Sequence, residues 1–279
     1  MIGAIIGDIV GSRFKYKNCL SKDFELFTPE CEFTGNLVMM LAATKALTDG
    51  VKDDEKLKRN AIRYIQMLGR KYPKPEYGIL LREWINSEDP KPFHSDSGAP
   101  AIWISAVPLI TSDIGEALDL SSTLSQVVID RYSSKGAKKA VYTTTAGTIF
   151  AQRPYRSKRI VRDVINMDIS YNLEFTLNEI RGKIAFSDSH QDIIPFAVEA
   201  FLESNDFEDA IRNAVSVGGD SSTIAAVAGA FAEAYYKKVP PEMARMALSY
   251  LTPDLFQIYI DFLRVYHLPQ RYSYLPRKS

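Results

Sequence analysis

The chain has 279 residues, 46% of them hydrophobic, and its 34 basic residues are balanced by 34 acidic ones. This length supports one sizeable core, and we expect a single domain over residues 1–279. The zero net charge gives no electrostatic reason to expect nucleic acid or an anionic membrane as a partner, and no apolar run approaches the roughly 20 residues of a membrane span. Cys19 and Cys31 fit neither a disulfide framework nor a zinc site, so we expect a cytoplasmic protein.

Three glycines near the start of the chain, Gly3, Gly7 and Gly11, are four residues apart. This spacing differs from a dinucleotide fingerprint but places all three on one face of a helix. We therefore predict a groove that lets a second helix approach closely. Asp8 and Ser12 would then lie at one end of this helix, near any functional site.

Helix is also predicted for most of the remaining chain. Good helix formers fill residues 37–49 and stop at Gly50, and residues 54–70 have an amphipathic pattern. Further helices are predicted over residues 136–152, 193–204, 207–216, 222–237, 241–251 and 254–266. Residues 222–237 are apolar nearly all round, which indicates a central helix. Since no strand-like alternation is found, the predicted fold is all-α, with loops at the prolines of positions 92, 100, 108 and 154.

The stretch from Gly218 to Thr223 combines a tight glycine turn with Asp220 and three hydroxyl side chains at the start of a small-residue helix. Oxygen atoms in such a place can hold a hard cation, and backbone N–H groups can hold an anion. The stretch contains only one carboxylate, so its suitability for metal chemistry is the main question posed by the sequence.

Residues 3–12, GAIIGDIVGS, and residues 210–236, which contain VGGDSST, resemble the two ends of the ADP-ribosylglycohydrolase family. That family includes the dinitrogenase-reductase-activating glycohydrolases and the J1 crystallins. Residues 193–204 also fit the family's order, so the resemblance covers essentially the whole chain. It implies an orthogonal bundle of many helices. It also implies a cleft where two Mg²⁺ ions assist cleavage of the bond between ADP-ribose and a modified side chain.

The metal motifs of the family are altered here. The first motif, Thr-Asp-Asp, corresponds to Thr34, Gly35 and Asn36, so both of its carboxylates are missing. In the second motif, Asp-Ser-Asp-Thr, Ser222 replaces the second aspartate, while the flanking Asp220 and Thr223 are kept. The resemblance therefore implies a metal set of Thr34, Asp220 and Thr223, which we expect to hold no ion or one weakly bound ion.

The other site motifs also depart from the family pattern. Lys15 aligns with an acidic position in the first loop. The family's Gly-Asn-Gly-Ser-Ala-Met-Arg loop appears as residues 97–103 without its asparagine and arginine, and the His-rich motif appears as residues 130–137 without histidine. The ligand-binding positions that the resemblance implies are Lys15, Asn36, Ser97, Gly98, Gly136, Gly219 and Ser222.

Counting charges predicts a depleted metal site. On this alignment Asp220 is the best remaining carboxylate, whereas two Mg²⁺ ions would bring four positive charges next to the added Lys15. Like charges about 4 Å apart repel by several kcal/mol at an effective dielectric constant near 20. The Lys15 ammonium could instead hold a phosphate or a ribose hydroxyl beside the helix starts at Asn36 and Ser222.

Three functional interpretations follow. The first is an impaired relative of the glycohydrolases that still binds ADP-ribose or a related nucleotide. The second is an active hydrolase with a rearranged or single-metal site, for which displaced carboxylates would be Glu30, Glu32, Asp96, Asp188 and Asp192. The third is a non-catalytic structural or interaction protein. The sequence sets no oligomeric state.

Several remaining features are predicted to have structural roles. The three histidines, His94, His190 and His267, are scattered, although His190 precedes a helix near the expected cleft. The basic residues of segment 153–159 predict a solvated helix start rather than a phosphate-backbone contact. Residues 266–274 predict an extended segment lying on the body of the protein.

Overall fold

The computed structural model describes residues 1–50, 53–130, 132–167 and 171–268. Within these ranges the backbone forms helices and loops without β-strands, and isolated bridges pair Phe93 with Ile129, Ser97 with Ser189 and Ile184 with Gly218. The predicted all-α class is therefore confirmed. Nowhere in the described ranges does a helix combine the length and apolar character needed to cross a membrane. Most of the predicted extended segment 266–274 lies outside the described residues.

The helices are numbered in chain order. They are α1 (Ile2–Ser12), α2 (Gly35–Gly50), α3 (Asp54–Lys71), α4 (Ile79–Asn86), α5 (Pro100–Trp103), α6 (Val107–Ile110), α7 (Ile114–Gln126), α8 (Lys135–Gln152), α9 (Lys158–Asn166), α10 (Leu177–Ile180), α11 (His190–Leu202), α12 (Phe207–Val217), α13 (Ser221–Tyr236), α14 (Pro241–Ser249) and α15 (Pro253–Val265).

The helices predicted from the sequence match α2, α3, α8 and α11–α15 to within about three residues at each end. The amphipathic helices α4 and α7 were missed, and of α9 only the start was predicted. The prediction of loops at Pro100 and Pro108 is wrong, because these prolines lie in the first turns of α5 and α6. Proline is well tolerated there, since its missing N–H group would have no partner inside the helix.

Helix α13 is the central element, as its apolar sequence predicted. Its residues from Ser221 to Glu233 are all buried, and it packs against α1, α8, α11 and α12. The contact with α1 is close because glycines face it. A Cβ atom added to Gly3 would lie 2.1 Å from the carbonyl oxygen of Gly229, and one added to Gly7 would lie 2.0 Å from that of Ala225. The predicted packing groove is therefore confirmed.

A buried ion pair fixes the other end of the α1–α13 contact. The ammonium group of Met1 lies 2.6 Å from Glu233 Oε2, and the backbone N–H of Gly3 donates to the same oxygen at 2.8 Å. Because both partners are removed from water, the pair constrains how α1 lies along α13. The opposite end of α1 then points at the start of α13, where Asp220 lies.

The basic segment 153–159 is partly structural. Arg156 Nε donates to the carbonyl oxygen of Tyr235 at 2.6 Å, at the end of α13. Lys158 Nζ donates to the carbonyl oxygens of Leu202, the last residue of α11, and of Ser204, which follows that helix. Cations in these places satisfy carbonyl groups that have no partner inside their own helix. The prediction of a solvated helix start is therefore wrong for Arg156 and Lys158.

A second buried carboxylate links α11 to α9. Glu199 is only 2% exposed, and both of its oxygens accept hydrogen bonds from Arg162 Nη2, at 2.9 and 3.1 Å. Burial raises the pKa of Glu199 to about 6, although the charge of Arg162 acts in the opposite direction. Removing the carboxylate from water thus outweighs the attraction of the guanidinium group.

Candidate functional site

A cleft of about 560 Å³ opens between the loop after α1, the start of α2, the first turn of α4 and the loops that precede α5 and α11. Lys15, Asn36, Ser97 and Asp220 line this cleft; Asp220 is buried, and the other three are half-buried. These four residues were predicted to bind a ligand or metal from separate parts of the sequence. The structure brings them to one opening.

Asp8 joins α1 to the segment that precedes α2. Its side chain is fully buried and accepts two hydrogen bonds from Thr34, one from the backbone N–H at 2.9 Å and one from the hydroxyl at 2.5 Å. The Thr34 oxygen in turn accepts a hydrogen bond from the backbone N–H of Asn36 at 3.2 Å. Asp8 therefore holds the start of α2 against α1.

Asp220 organises the start of α13. Its Oδ1 atom accepts hydrogen bonds from the Ser222 hydroxyl at 2.8 Å and from the backbone N–H of Thr223 at 3.2 Å, which makes Asp220 the N-cap of the helix. The side-chain amide of Asn36 donates to the Thr223 hydroxyl at 3.1 Å. This last bond joins the starts of α2 and α13, so the two helix ends meet as predicted.

The pKa of Asp8 depends first on its burial and then on its neighbours. Burial raises it to about 7, and the neighbouring charge of Asp220 raises it as well. The hydrogen bonds from Thr34 and the charge of Lys15 act in the opposite direction. Asp8, which the sequence placed at one end of its helix near any functional site, is thus a second buried carboxylate in this region beside the one kept in the altered motifs, Asp220.

The side chains present do not fit a pair of Mg²⁺ ions. A carboxylate at position 35 is excluded, because a Cβ atom on Gly35 would lie 2.7 Å from the carbonyl oxygen of Glu76 and 2.9 Å from the ring of Tyr77. The Thr34 hydroxyl is engaged with Asp8, and the Thr223 hydroxyl accepts from Asn36. Mg²⁺ requires near-octahedral oxygen ligands, and the carboxylates hydrogen-bonded to these two threonines are those of Asp8 and Asp220, which would offset only two of the four positive charges.

The displaced carboxylates considered above do not complete a metal site. Across the described ranges, no group of three or more His, Cys, Asp or Glu side chains is placed to hold a metal ion. Glu30 and Glu32 are exposed, whereas Asp188 lines the cleft. His94 also lines the cleft, and its Nε2 atom is 3.4 Å from Asp96 Oδ2. Of these groups, Asp188 and His94 are the ones that line the cleft.

The glycines that the resemblance marked as ligand-binding positions are packed against other side chains, and none is among the described residues that line the cleft. A Cβ atom on Gly98 would lie 2.7 Å from Ile193, and one on Gly136 would lie 2.4 Å from the ring of His190. That ring is buried, and its Nδ1 is 3.1 Å from the Tyr171 hydroxyl. Gly219 has a φ of +72°, which suits glycine in the turn before α13.

Sequence reasoning missed the residues around the opening of the cleft. Tyr16, Ile79, Leu80 and Phe186 line it while remaining exposed, and we call these four residues the mouth. The Tyr16 hydroxyl donates a hydrogen bond to Glu76, and burial together with this carboxylate raises the pKa of Tyr16 to about 12. The run Ile79-Leu80-Leu81 at a helix start was the available signal, because first turns usually carry polar side chains.

Comparison with known proteins agrees with this architecture. A solved structure titled "ADP-ribosylglycohydrolase-related protein complex" superposes with a TM-score of 0.65 over 95% of this chain and 97% of that chain, at 17% sequence identity, which shows a shared fold. An uncharacterised protein of Archaeoglobus fulgidus is 26% identical over 112 residues. These residues are 38% of this chain, which thus spans about a third (34%) of that relative's length. The family model for ADP-ribosylglycohydrolase matches residues 1–271, so the chain belongs to the ADP-ribosylglycohydrolase family.

Proposed function

We propose that this family member binds ADP-ribose or a related nucleotide in the cleft, and that it is impaired or inactive as a hydrolase because its di-magnesium site is depleted. The observation that carries the proposal is the position of Lys15. Its side chain lines the cleft, and no carboxylate of the described residues lies within 4.0 Å of its ammonium group. A lysine without an ion-pair partner is suited to bind a phosphate.

The arrangement around Lys15 supports this role. Its Nζ atom lies 5.5 Å from the centre of the Tyr16 ring and 5.8 Å from that of Phe186. These rings offer flat surfaces for a base or a sugar next to the cation. The chemistry of a nucleotide, with an anionic group close to a planar apolar group, matches this combination of side chains.

The same arrangement argues against efficient hydrolysis. Cleavage of a glycosidic bond needs a carboxylate or a metal-activated group that reaches the reacting carbon or its water. Asp8 is fully buried and engaged with Thr34, and Asp220 is 3% exposed and caps α13. Both carboxylates therefore act mainly as hydrogen-bond acceptors that hold α2 and α13 in place.

Calorimetric titration with ADP-ribose, in Mg²⁺ and in EDTA, tests the proposal. We expect binding in both conditions, and about tenfold weaker binding for Lys15→Met, because a hydrogen bond to a charged group contributes about 1.5–3 kcal/mol. The matched control is Lys238→Met, which removes an exposed lysine away from the cleft lining. Binding that requires Mg²⁺ and is unchanged by Lys15→Met would contradict the proposal.

An active hydrolase with a rearranged site is the second candidate, favoured by His94 and Asp188 on the cleft lining. The Asp96 carboxylate could orient the His94 ring as a general base. Release of ADP-ribose from a modified protein, lost in His94→Ala and kept in Lys238→Met, would support this candidate. Failure to bind or release ADP-ribose under any condition would leave the third interpretation, a structural or interaction protein.

A further inference from the structure

The mouth of the cleft is unusual for the surface of a soluble protein. Twelve large hydrophobic side chains are exposed among the described residues, and four of them form this one opening. Their exposed fractions are 66% for Tyr16, 78% for Ile79, 50% for Leu80 and 46% for Phe186. Single exposed apolar residues are common, but a group of them around a cavity indicates a binding surface.

The mouth has two sides of different chemistry. Tyr16 and Phe186 form an aromatic side, with ring centres 5.1 Å apart, and the hydrogen bond to Glu76 fixes the Tyr16 ring. Ile79 and Leu80 form an aliphatic side in the first turn of α4. We call this pair the aliphatic lip. A nucleotide base that stacks on the aromatic side would not cover the aliphatic lip as well, so the lip requires a second apolar group.

The helix that carries the aliphatic lip is otherwise an ordinary amphipathic helix. Leu81, Trp84 and Ile85 are buried and hold α4 to the core, so Ile79 and Leu80 are not needed for that packing. A Cβ atom added at Gly78, the preceding residue, would meet nothing within 4 Å, which shows open space beside the lip. The lip is therefore both rigidly supported and accessible.

The charged side chains that line the cleft are of both signs. Lys15 and Arg82 line it together with Glu76, Asp188 and Asp220, and Glu76 accepts the hydrogen bond of Tyr16. Neither sign of charge therefore dominates the cleft. Ile79 and Leu80 carry no charge, so what they add to the opening is apolar surface, which an uncharged apolar group would remove from water.

We propose that the aliphatic lip binds an uncharged apolar group attached to the ligand beyond its nucleotide, so that the preferred ligand is an apolar conjugate of ADP-ribose. This inference rests on the proposed function, which supplies the nucleotide. Lys15 and the aromatic side hold the anionic nucleotide, and the lip sets the specificity for what is attached to it.

The test compares three probes by calorimetry: ADP-ribose, its 1″-O-methyl derivative and its 1″-O-benzyl derivative. We expect the benzyl derivative to bind about tenfold more tightly than the methyl derivative, since extra apolar groups in an apolar site typically improve binding by that factor or more. The double variant Ile79→Ser/Leu80→Ser should lose this preference. Ile160→Ser/Met246→Ser, which changes two exposed apolar residues on α9 and α14, should keep it.

The possible outcomes separate the two proposals. Equal binding of the benzyl and methyl derivatives would overturn the specificity of the lip and leave nucleotide binding intact. A lip variant that weakens all three probes equally would also overturn it, because the lip would then contact the nucleotide itself. Binding of the benzyl derivative without ADP-ribose binding would support the lip and contradict the proposed function. Failure of all three probes with a folded protein would overturn both.

Discussion

The close contact between α1 and α13 gives the most direct test of the packing. In Gly7→Ala the new methyl group would lie 2.0 Å from the carbonyl oxygen of Ala225 and 2.5 Å from the backbone nitrogen of Ala226. These are backbone atoms of a buried helix, so they cannot turn away as a side chain would. Ordinary contact begins near 3.4 Å, so the two helices would have to separate locally by about 1.4 Å.

The expected cost is about 3 kcal/mol of unfolding free energy, at the upper end of the range for overpacked cores. Alanine favours helix over glycine by up to about 1 kcal/mol, which offsets only part of this cost. Urea unfolding followed by circular dichroism measures the difference. The matched control is Gly115→Ala in α7, where the new methyl group meets only the exposed side chain of Asp113, at 3.2 Å.

We expect the control to change the unfolding free energy by less than about 1 kcal/mol. A Gly7→Ala variant as stable as the control would refute the reasoning, because it would mean that α1 and α13 can separate at little cost. The variant should also weaken ADP-ribose binding, since Asp8 follows Gly7 on α1 and Asp220 caps α13. Destabilisation without any loss of binding would show that the cleft does not depend on this helix contact.

Three further predictions address the metal site, a buried carboxylate and a half-buried lysine. The double variant Asn36→Asp/Ser222→Asp restores two carboxylates at the joined helix starts, so calorimetry should detect Mg²⁺ binding that exceeds that of the natural protein. The pKa of Glu199 is raised from 4.5 to about 6, so its contribution to stability is present below about pH 4.5 and lost as the pH rises through about 6. Urea unfolding at a series of pH values should show the unfolding free energy falling by about 2 kcal/mol across this window, and Glu199→Gln should lack this fall. The same dependence of the unfolding free energy on pH in both proteins would contradict the assignment. Lys158→Met should lower the unfolding free energy by about 1–3 kcal/mol, because the carbonyl oxygens of Leu202 and Ser204 lose their donor, whereas Arg159→Met on the exposed face of α9 should have little effect.

The fold was largely predictable because local patterns agree with the tertiary structure. The four-residue spacing of Gly3, Gly7 and Gly11 predicts a groove, and each glycine faces a backbone carbonyl of α13. The helices that were missed contribute few residues to the core or carry both polar and apolar side chains on their surfaces. Their amphipathic patterns are short, and the prolines of α5 and α6 read as loop signals although they begin helices.

The site was only partly predictable because its contacts join distant parts of the sequence. Motif comparison identified Lys15, Asn36 and Asp220, which line the cleft. The sequence also placed Asp8 near the site but did not identify the partner that a buried aspartate needs, which is Thr34, 26 residues away. It also could not reveal that Tyr77 occupies the space beside Gly35, since nothing local to either residue encodes that approach.

The pairing of α1 with α13 also has a consequence for the order of folding. The hydrogen bond from Gly3 to Glu233 spans 230 residues, and among the described helices α13 is the one that packs most extensively against α1. Until α13 has formed, the isoleucine side chains of α1 stay exposed to water. Because a long loop must close before α1 and α13 can meet, we expect this contact to form slowly. Refolding should therefore be slow and sensitive to protein concentration, because the exposed α1 can associate with other chains before it packs against α13.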